Sequence, residues 1–159
     1  MFYPRVEITS GLWVGSLADS SDAAFMRHAR IGLVVNCSRD LPFYLPPGVE
    51  GERVNVDDSQ RYSDAMVRSF GTVLPHIDKT IARGRGVLIH CFAGIQRSSA
   101  VAAAYLMYKL GIPAEKAMHA VQRMKPEAFK PRATFRRALQ TYYLALSAPP
   151  TLQPTRPRP

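Results

Sequence analysis

The chain reads as an α/β fold: one domain with a mainly parallel central sheet and helices on both faces. Three observations predict it. The runs Ile31-Gly32-Leu33-Val34-Val35-Asn36 and Val87-Leu88-Ile89-His90 are continuously apolar up to their last residue, as strands buried on both faces are. Between them, Met66, Phe70, Val73, Leu74, Ile77 and Ile81 recur at helical spacing. After the second run, Ser98 to Leu110 is apolar nearly all round, which places a helix at the centre of the fold. Strands that alternate with helices pair in parallel and are covered on both sides.

Each element follows in turn. Residues Ile8 to Gly15 predict a short strand pair turning at Ser10-Gly11. A helix is expected from Asp19 to Arg30, capped by Ser20, Ser21 or Asp22. After the strand Ile31–Asn36, the prolines and glycines of residues 39–51 predict a loop. Arg53-Val54-Asn55-Val56 reads as another strand, ending at Asp57-Asp58. The helix over Ser63 to Arg83 holds Pro75, whose ring presses on the carbonyl of Gly71 and kinks the helix rather than splitting it. Arg83-Gly84-Arg85-Gly86 turns the chain into the strand Val87–His90. Gly111 ends the central helix, Pro113 starts the next one to about Met124, and a last helix is expected from Ala133 to Leu146. The domain is thus expected over residues 1–147. Residues 148–159, with five prolines and few apolar anchors, read as a disordered tail in which Pro154-Thr155-Arg156-Pro157 is a solvated segment rather than a docking motif.

The chemistry concentrates in His90-Cys91-Phe92-Ala93-Gly94-Ile95-Gln96-Arg97-Ser98-Ser99. A buried strand delivers a cysteine into a short loop, and a helix begins at the arginine that closes it. The N–H groups of such a loop and of the first helical turn have no intrahelical partners. Curved around one centre, they make a nest for phosphate-like oxygens. Gly94 allows the tight turn. Arg97 adds a fork of donors suited to two oxygens at once. The positive field of such a nest favours a thiolate over a thiol, and a thiolate beside a phosphate cradle accepts a phosphoryl group. Cys91 therefore reads as a nucleophile, with Phe92 to Arg97 as the phosphate cradle. Strands of parallel sheets open their ligand crevice at the carboxyl ends, which sets Asp57-Asp58 across one crevice from Cys91.

The bulk properties narrow the classes. The 159 residues suffice for one domain with a core, and 47% of them are hydrophobic, which excludes a disordered chain. No stretch approaches the length of a membrane span, and the N-terminus lacks a secretory pattern. Cys37 and Cys91, the only cysteines, are too few for a disulfide framework or a zinc site. An intracellular, cytoplasmic setting is expected, with a nuclear one compatible. No cofactor and no metal are expected, because Arg97 and the amides supply the positive charge. The net charge of +9 favours acidic partners. The basic residues are scattered without an aromatic platform, so phosphorylated protein is favoured over nucleic acid.

At these residues the chain resembles the cysteine-dependent protein phosphatases, whose signature is H-C-x5-R followed by Ser or Thr. The nucleophile lies late in the chain and the domain is compact, and both features resemble the dual-specificity phosphatases over nearly residues 5–146. Ile8-Thr9-Ser10-Gly11-Leu12-Trp13-Val14-Gly15 is similar to their opening strand motif. Leu33–Asn36 is similar to their second strand and Ala103–Met107 to their central helix. The resemblance implies hydrolysis of phosphotyrosine and phosphoserine or phosphothreonine on proteins through a phosphocysteine. It puts Asp58 in the place of the general acid and Asp57 in that of the acidic residue before it. It gives Ser98 a hydrogen bond to the sulfur and His90 a part in ordering the loop. It also puts the strand before Cys37 beside the one before Cys91, which makes Cys37 a candidate redox partner.

Two departures stand out. Gln96 replaces the small serine of many members and is expected to narrow the rim or add an amide there. Arg132 follows Pro131 where the family has asparagine, so one loop-supporting hydrogen bond is in question. RNA 5′-triphosphatases use a related loop but carry Thr-His where Phe92-Ala93 stands here. A phosphoprotein-binding pseudophosphatase is the non-enzymatic alternative.

Overall fold

The computed structural model describes residues 3–149. Five strands make one sheet in the order β1-β2-β5-β3-β4. They are β1 (Val6–Thr9), β2 (Leu12–Gly15), β3 (Ile31–Asn36), β4 (Glu50–Arg53) and β5 (Gly86–His90). Only the β1–β2 hairpin is antiparallel. The expected mainly parallel sheet is therefore present, and the carboxyl ends of β2 to β5 share one edge.

Alternation along the strands divides the core between two faces. Leu33, Val35, Val87 and Ile89 join the larger cluster. The helices α3 (Ser63–Ala82), α4 (Arg97–Leu110), α5 (Ala114–Met124) and α6 (Arg136–Ser147) cover that face. Val34 and Leu88 meet Phe25 and Met26 on the other face, beneath the short helices α1 (Leu17–Ser20) and α2 (Ala23–His28). Helix α4 is buried from Ser98 to Tyr108, as its all-round apolar character predicts. Gly111 caps it with φ 69°, and α3 runs unbroken through Pro75.

Three expectations need correction. The single helix over 19–30 is two, because two carboxylates cap in succession. Asp19 accepts from the Ser16 N–H at 2.8 Å and Asp22 from the Phe25 N–H at 3.0 Å. Arg5 ties both carboxylates together at 3.1 Å.

The strand expected over 53–56 lies earlier, at Glu50–Arg53. Its pairing with β3 runs from Leu33↔Glu50 to Asn36↔Arg53 and stops where β3 stops. Val54 and Val56 alternate inward as strand residues do, and both are fully buried. Their backbone turns instead, Val56 N–H donating to Val54 O at 3.0 Å.

Helix α6 starts at Arg136, three residues later than expected, since residues 130–134 are held by Gln96. The tail expected over 148–159 lies outside the described residues from 150 onward, including Pro154–Pro157. Among the described residues no helix is long and apolar enough to cross a membrane.

Candidate active site

Strand β5 ends at His90 and α4 begins at Arg97, so residues 91–96 form the loop between them. Most of the carbonyls along it are taken up. His90 O accepts from Cys37 N–H at 2.7 Å, Phe92 O from Leu17 N–H at 3.1 Å and Ile95 O from Phe129 N–H at 3.0 Å. Gly94 O accepts from the Ser99 hydroxyl at 3.3 Å, and Cys91 O lies 3.2 Å from His90 Nδ1. Gln96 O accepts from Ala100 N–H at 2.9 Å. A loop whose carbonyls are engaged from outside turns its N–H groups inward, which is how an anion nest is built.

Gly94 is required on two counts. Its φ is +76°, and a Cβ there would stand 2.7 Å from Gly15 O.

Cys91 sits at the floor, 3% exposed. Gly94 N–H donates to its Sγ at 3.2 Å, and Ser98 Oγ lies 3.3 Å from the same sulfur. The Gly94 N–H and the Ser98 hydroxyl thus both reach the one sulfur. Burial holds the His90 imidazolium below its ordinary range. A proton on Nδ1 of the neutral ring lets it donate to Cys91 O. Its Nε2 is buried without a partner.

The cleft above the sulfur has a volume of about 420 Å³. Asp58, Arg97, Gln96, Lys130, Arg132 and Thr134 are among the residues that line it. Arg97 Nη1 donates to Val56 O at 3.2 Å and so joins the catalytic loop to the segment carrying Asp58. The two neighbouring carboxylates are separated in role by their contacts. Asp57 pairs with Arg39 at 3.2 Å, and the same guanidinium nitrogen donates to Tyr62 Oη at 3.0 Å. Asp58 faces the cleft.

The Gln96 amide has a use that the sequence did not reveal. Its Nε2 donates to Lys130 O at 3.1 Å and Arg132 O at 2.7 Å, while its Oε1 accepts from Thr134 N–H at 3.1 Å. It is a staple between two loops, not a spare amide on the rim. The support in question at Arg132 thus comes from the opposite side of the cleft. Lys130 and Thr134 were missed as lining residues, because nothing local in 130–134 signals contact with residue 96.

Cys37 is fully buried one position beyond the register pair Asn36↔His90. Burial pushes its thiol well above the usual range, with Cys91 adding to the rise and Arg97 opposing it.

Residues 12–144 match the family model "Dual specificity phosphatase, catalytic domain". "Dual specificity protein phosphatase 1B" of Arabidopsis thaliana is 32% identical over 136 residues, covering 86% of this chain and 80% of that protein. "Dual specificity protein phosphatase 9" of Homo sapiens is 31% identical over 120 residues, 76% of this chain. The chain spans about a third of the length of several curated relatives, 31% of that human protein among them. The crystal structure of human DUSP28 superposes with a TM-score of 0.85 at 30% identity, covering 93% of this chain and 98% of that one.

Proposed function

The chain belongs to the dual-specificity phosphatase family, and from that premise we propose that it hydrolyses phosphotyrosine and phosphoserine or phosphothreonine on proteins through a phosphocysteine. The observation that carries this reading is the Cys91 sulfur, held by Gly94 N–H and Ser98 at the floor of a cleft that Arg97 and Asp58 line.

Cys91 Sγ attacks phosphorus, and the bond from phosphorus to the ester oxygen breaks. Asp58 gives that oxygen its proton. Arg97 and the amides of Phe92 to Arg97 hold the three equatorial oxygens, where charge stabilisation is most of the catalysis. Water then attacks the phosphocysteine, Asp58 takes its proton, and Cys91 leaves as a thiolate hydrogen-bonded by Ser98. Inorganic phosphate is released. His90 fixes the loop, and Asp57 anchors the acid segment through Arg39. Positive charge comes from the protein, so the scheme uses no metal.

Cys37, fully buried beside the strand end that carries Cys91, is a candidate redox partner for an oxidised Cys91, the alternative being core packing alone. A reducing, intracellular compartment suits an enzyme whose two cysteines are both free.

The test is turnover of an aryl phosphate and of matched phosphotyrosine and phosphothreonine peptides, beside triphosphate-ended RNA. Cys91→Ser should abolish turnover and keep phosphopeptide binding. Arg97→Lys should lose both, since an ammonium cannot reproduce the fork. Activity retained in Cys91→Ser would falsify the mechanism, and a clear preference for RNA would replace the substrate class.

A further inference from the structure

The phosphate cleft has a neighbour. A second hollow, of about 450 Å³, lies against the same loop and shares Phe92, Ala93 and Ile95 with the cleft as a common wall. Tyr3, Leu17 and Tyr44 supply its other large side chains, and no charged residue lines it. Seven large apolar side chains are exposed among the described residues. Three of them, Tyr3, Tyr44 and Phe92, stand around this hollow, Phe92 being 64% exposed. Exposed apolar side chains normally scatter; gathered at one place they mark a binding surface.

The hollow is built in rather than a gap between mobile parts. Leu17 N–H holds Phe92 O, fixing the start of α1 against the loop. Gly94 is in close approach to Gly15 just before that helix. The same contacts that shape the nest therefore shape the hollow. On the far side of the cleft stand Lys130 and Arg132, stapled by Gln96. The two sides differ in chemistry, apolar on one and cationic on the other.

We propose that this hollow is a specificity subsite that takes an aliphatic or aromatic side chain of the substrate, within three residues of the phosphorylated residue. The subsite rests on the phosphatase reading for the phosphoresidue. Its occupant follows from continuity and reach. Phe92 is the residue next to Cys91, so wall and nucleophile are about 3.8 Å apart along the backbone. An extended peptide advances about 3.3 Å per residue. A phosphoresidue seated over Cys91 therefore carries its near neighbours across the Phe92 wall. The two serines in the lining, Ser16 and Ser21, give their hydroxyl protons to Asp19 and to Ala18 O, so a hollow of this volume accepts an apolar side chain and disfavours a carboxylate, which would lose water without gaining a cationic partner.

The experiment scans leucine through the three positions on either side of phosphotyrosine in an alanine–serine peptide. The wild type gives kcat/KM and Cys91→Ser gives Kd. One position should raise kcat/KM about tenfold and tighten Kd to match, the discrimination an apolar pocket provides; aspartate at that position should remove the gain. Ala18→Trp fills the hollow from α1, and Tyr44→Ala opens its wall. Both should flatten the scan while leaving aryl phosphate turnover unchanged.

A flat scan in the wild type overturns the subsite, as does a gain that survives both variants. A flat scan with cosedimentation on phosphatidylcholine vesicles, lost in Ala18→Trp, overturns it in favour of a lipid surface. If aryl phosphate is not turned over but Kd still depends on the leucine position, the subsite stands and the catalytic reading falls.

Discussion

The loop carrying Cys91 and the segment carrying Asp58, the proposed acid, face each other across one cleft, and they are built in opposite ways. Around the loop, most carbonyls from His90 to Gln96 are engaged, those of His90, Phe92 and Ile95 by Cys37, Leu17 and Phe129 of other segments. Its key side chains, Cys91 and Ser98, are buried. The segment from Val54 to Asp58 is anchored by two buried valines, and its remaining ties are few. Val54 N–H meets Asn36 O at 2.9 Å, Arg97 meets Val56 O, and Asp57 meets Arg39 at an exposed pair. The proposed nucleophile is thus preorganised by the fold, whereas the proposed proton donor hangs from a few contacts, one of them Arg97. Charge stabilisation needs fixed dipoles; proton transfer needs only reach and a suitable acid.

The sharpest way to break this contrast is to separate the two aspartates. Asp58→Asn should lower kcat for alkyl phosphates by about 10²–10⁴, the usual worth of a positioned acid. The loss should be smaller for activated aryl esters, and the alkaline limb of the pH–rate profile should vanish. Asp57→Asn removes an exposed ion pair, a kind of contact that contributes little, so its effect should be slight and appear as a looser acid segment. The reverse pattern would put the acid one position earlier, on the carboxylate that Arg39 holds.

A smaller effect probes the third loop. Gln96→Ala removes three hydrogen bonds between residue 96 and residues 130–134. At about 0.5–1.5 kcal/mol per bond, the thermal midpoint should fall by several degrees. The phosphopeptide KM should rise, because Lys130 and Arg132 lose their placement. Aryl phosphate kcat should change little, since the loop around Cys91 keeps its other supports. An equal loss in both substrates would mean that the staple serves the nest itself.

The same contrast explains what the sequence disclosed. The nest is legible in ten consecutive residues, because strand, cysteine, glycine and arginine must follow one another to build it. The parallel core is legible in the unbroken apolar runs of β3 and β5. Strand β4 was misplaced because its boundary is set by where β3 ends, while Val54 and Val56 imitate a strand by burying alternate residues. Glu50-Gly51 is a poor strand signal, yet Phe43 and Leu45 pack over Gly51 so closely that a Cβ would stand 2.9 Å from either. The Gln96 staple was illegible for a plainer reason. Its partners are 34 to 38 residues away and two of them are backbone carbonyls, which no residue type announces.

The smallest expected effect concerns a proposed link between the rigid loop and its neighbour strand, from Cys37 to Cys91, both free in this structure. Cys37 N–H donates to His90 O, extending the parallel pairing by one step. Adjacent strands lie about 4.8 Å apart, inside the limit of about 7 Å between Cα atoms that a disulfide tolerates. Peroxide converts the Cys91 thiolate to a sulfenic acid. The Cys37 sulfur, on losing its proton, attacks that sulfur, and water leaves with formation of the S–S bond. Burial works against the second step, for it pushes the Cys37 thiol up and keeps it protonated, and the attacking species is the thiolate. The trap should therefore be slow and should protect only in part. Peroxide treatment should yield a linked Cys37–Cys91 peptide in non-reduced mass spectra, with activity recovered by dithiothreitol. In Cys37→Ala, irreversible inactivation should be several-fold faster. No linked peptide, together with an unchanged inactivation rate in Cys37→Ala, would leave Cys37 as core packing beside the nucleophile.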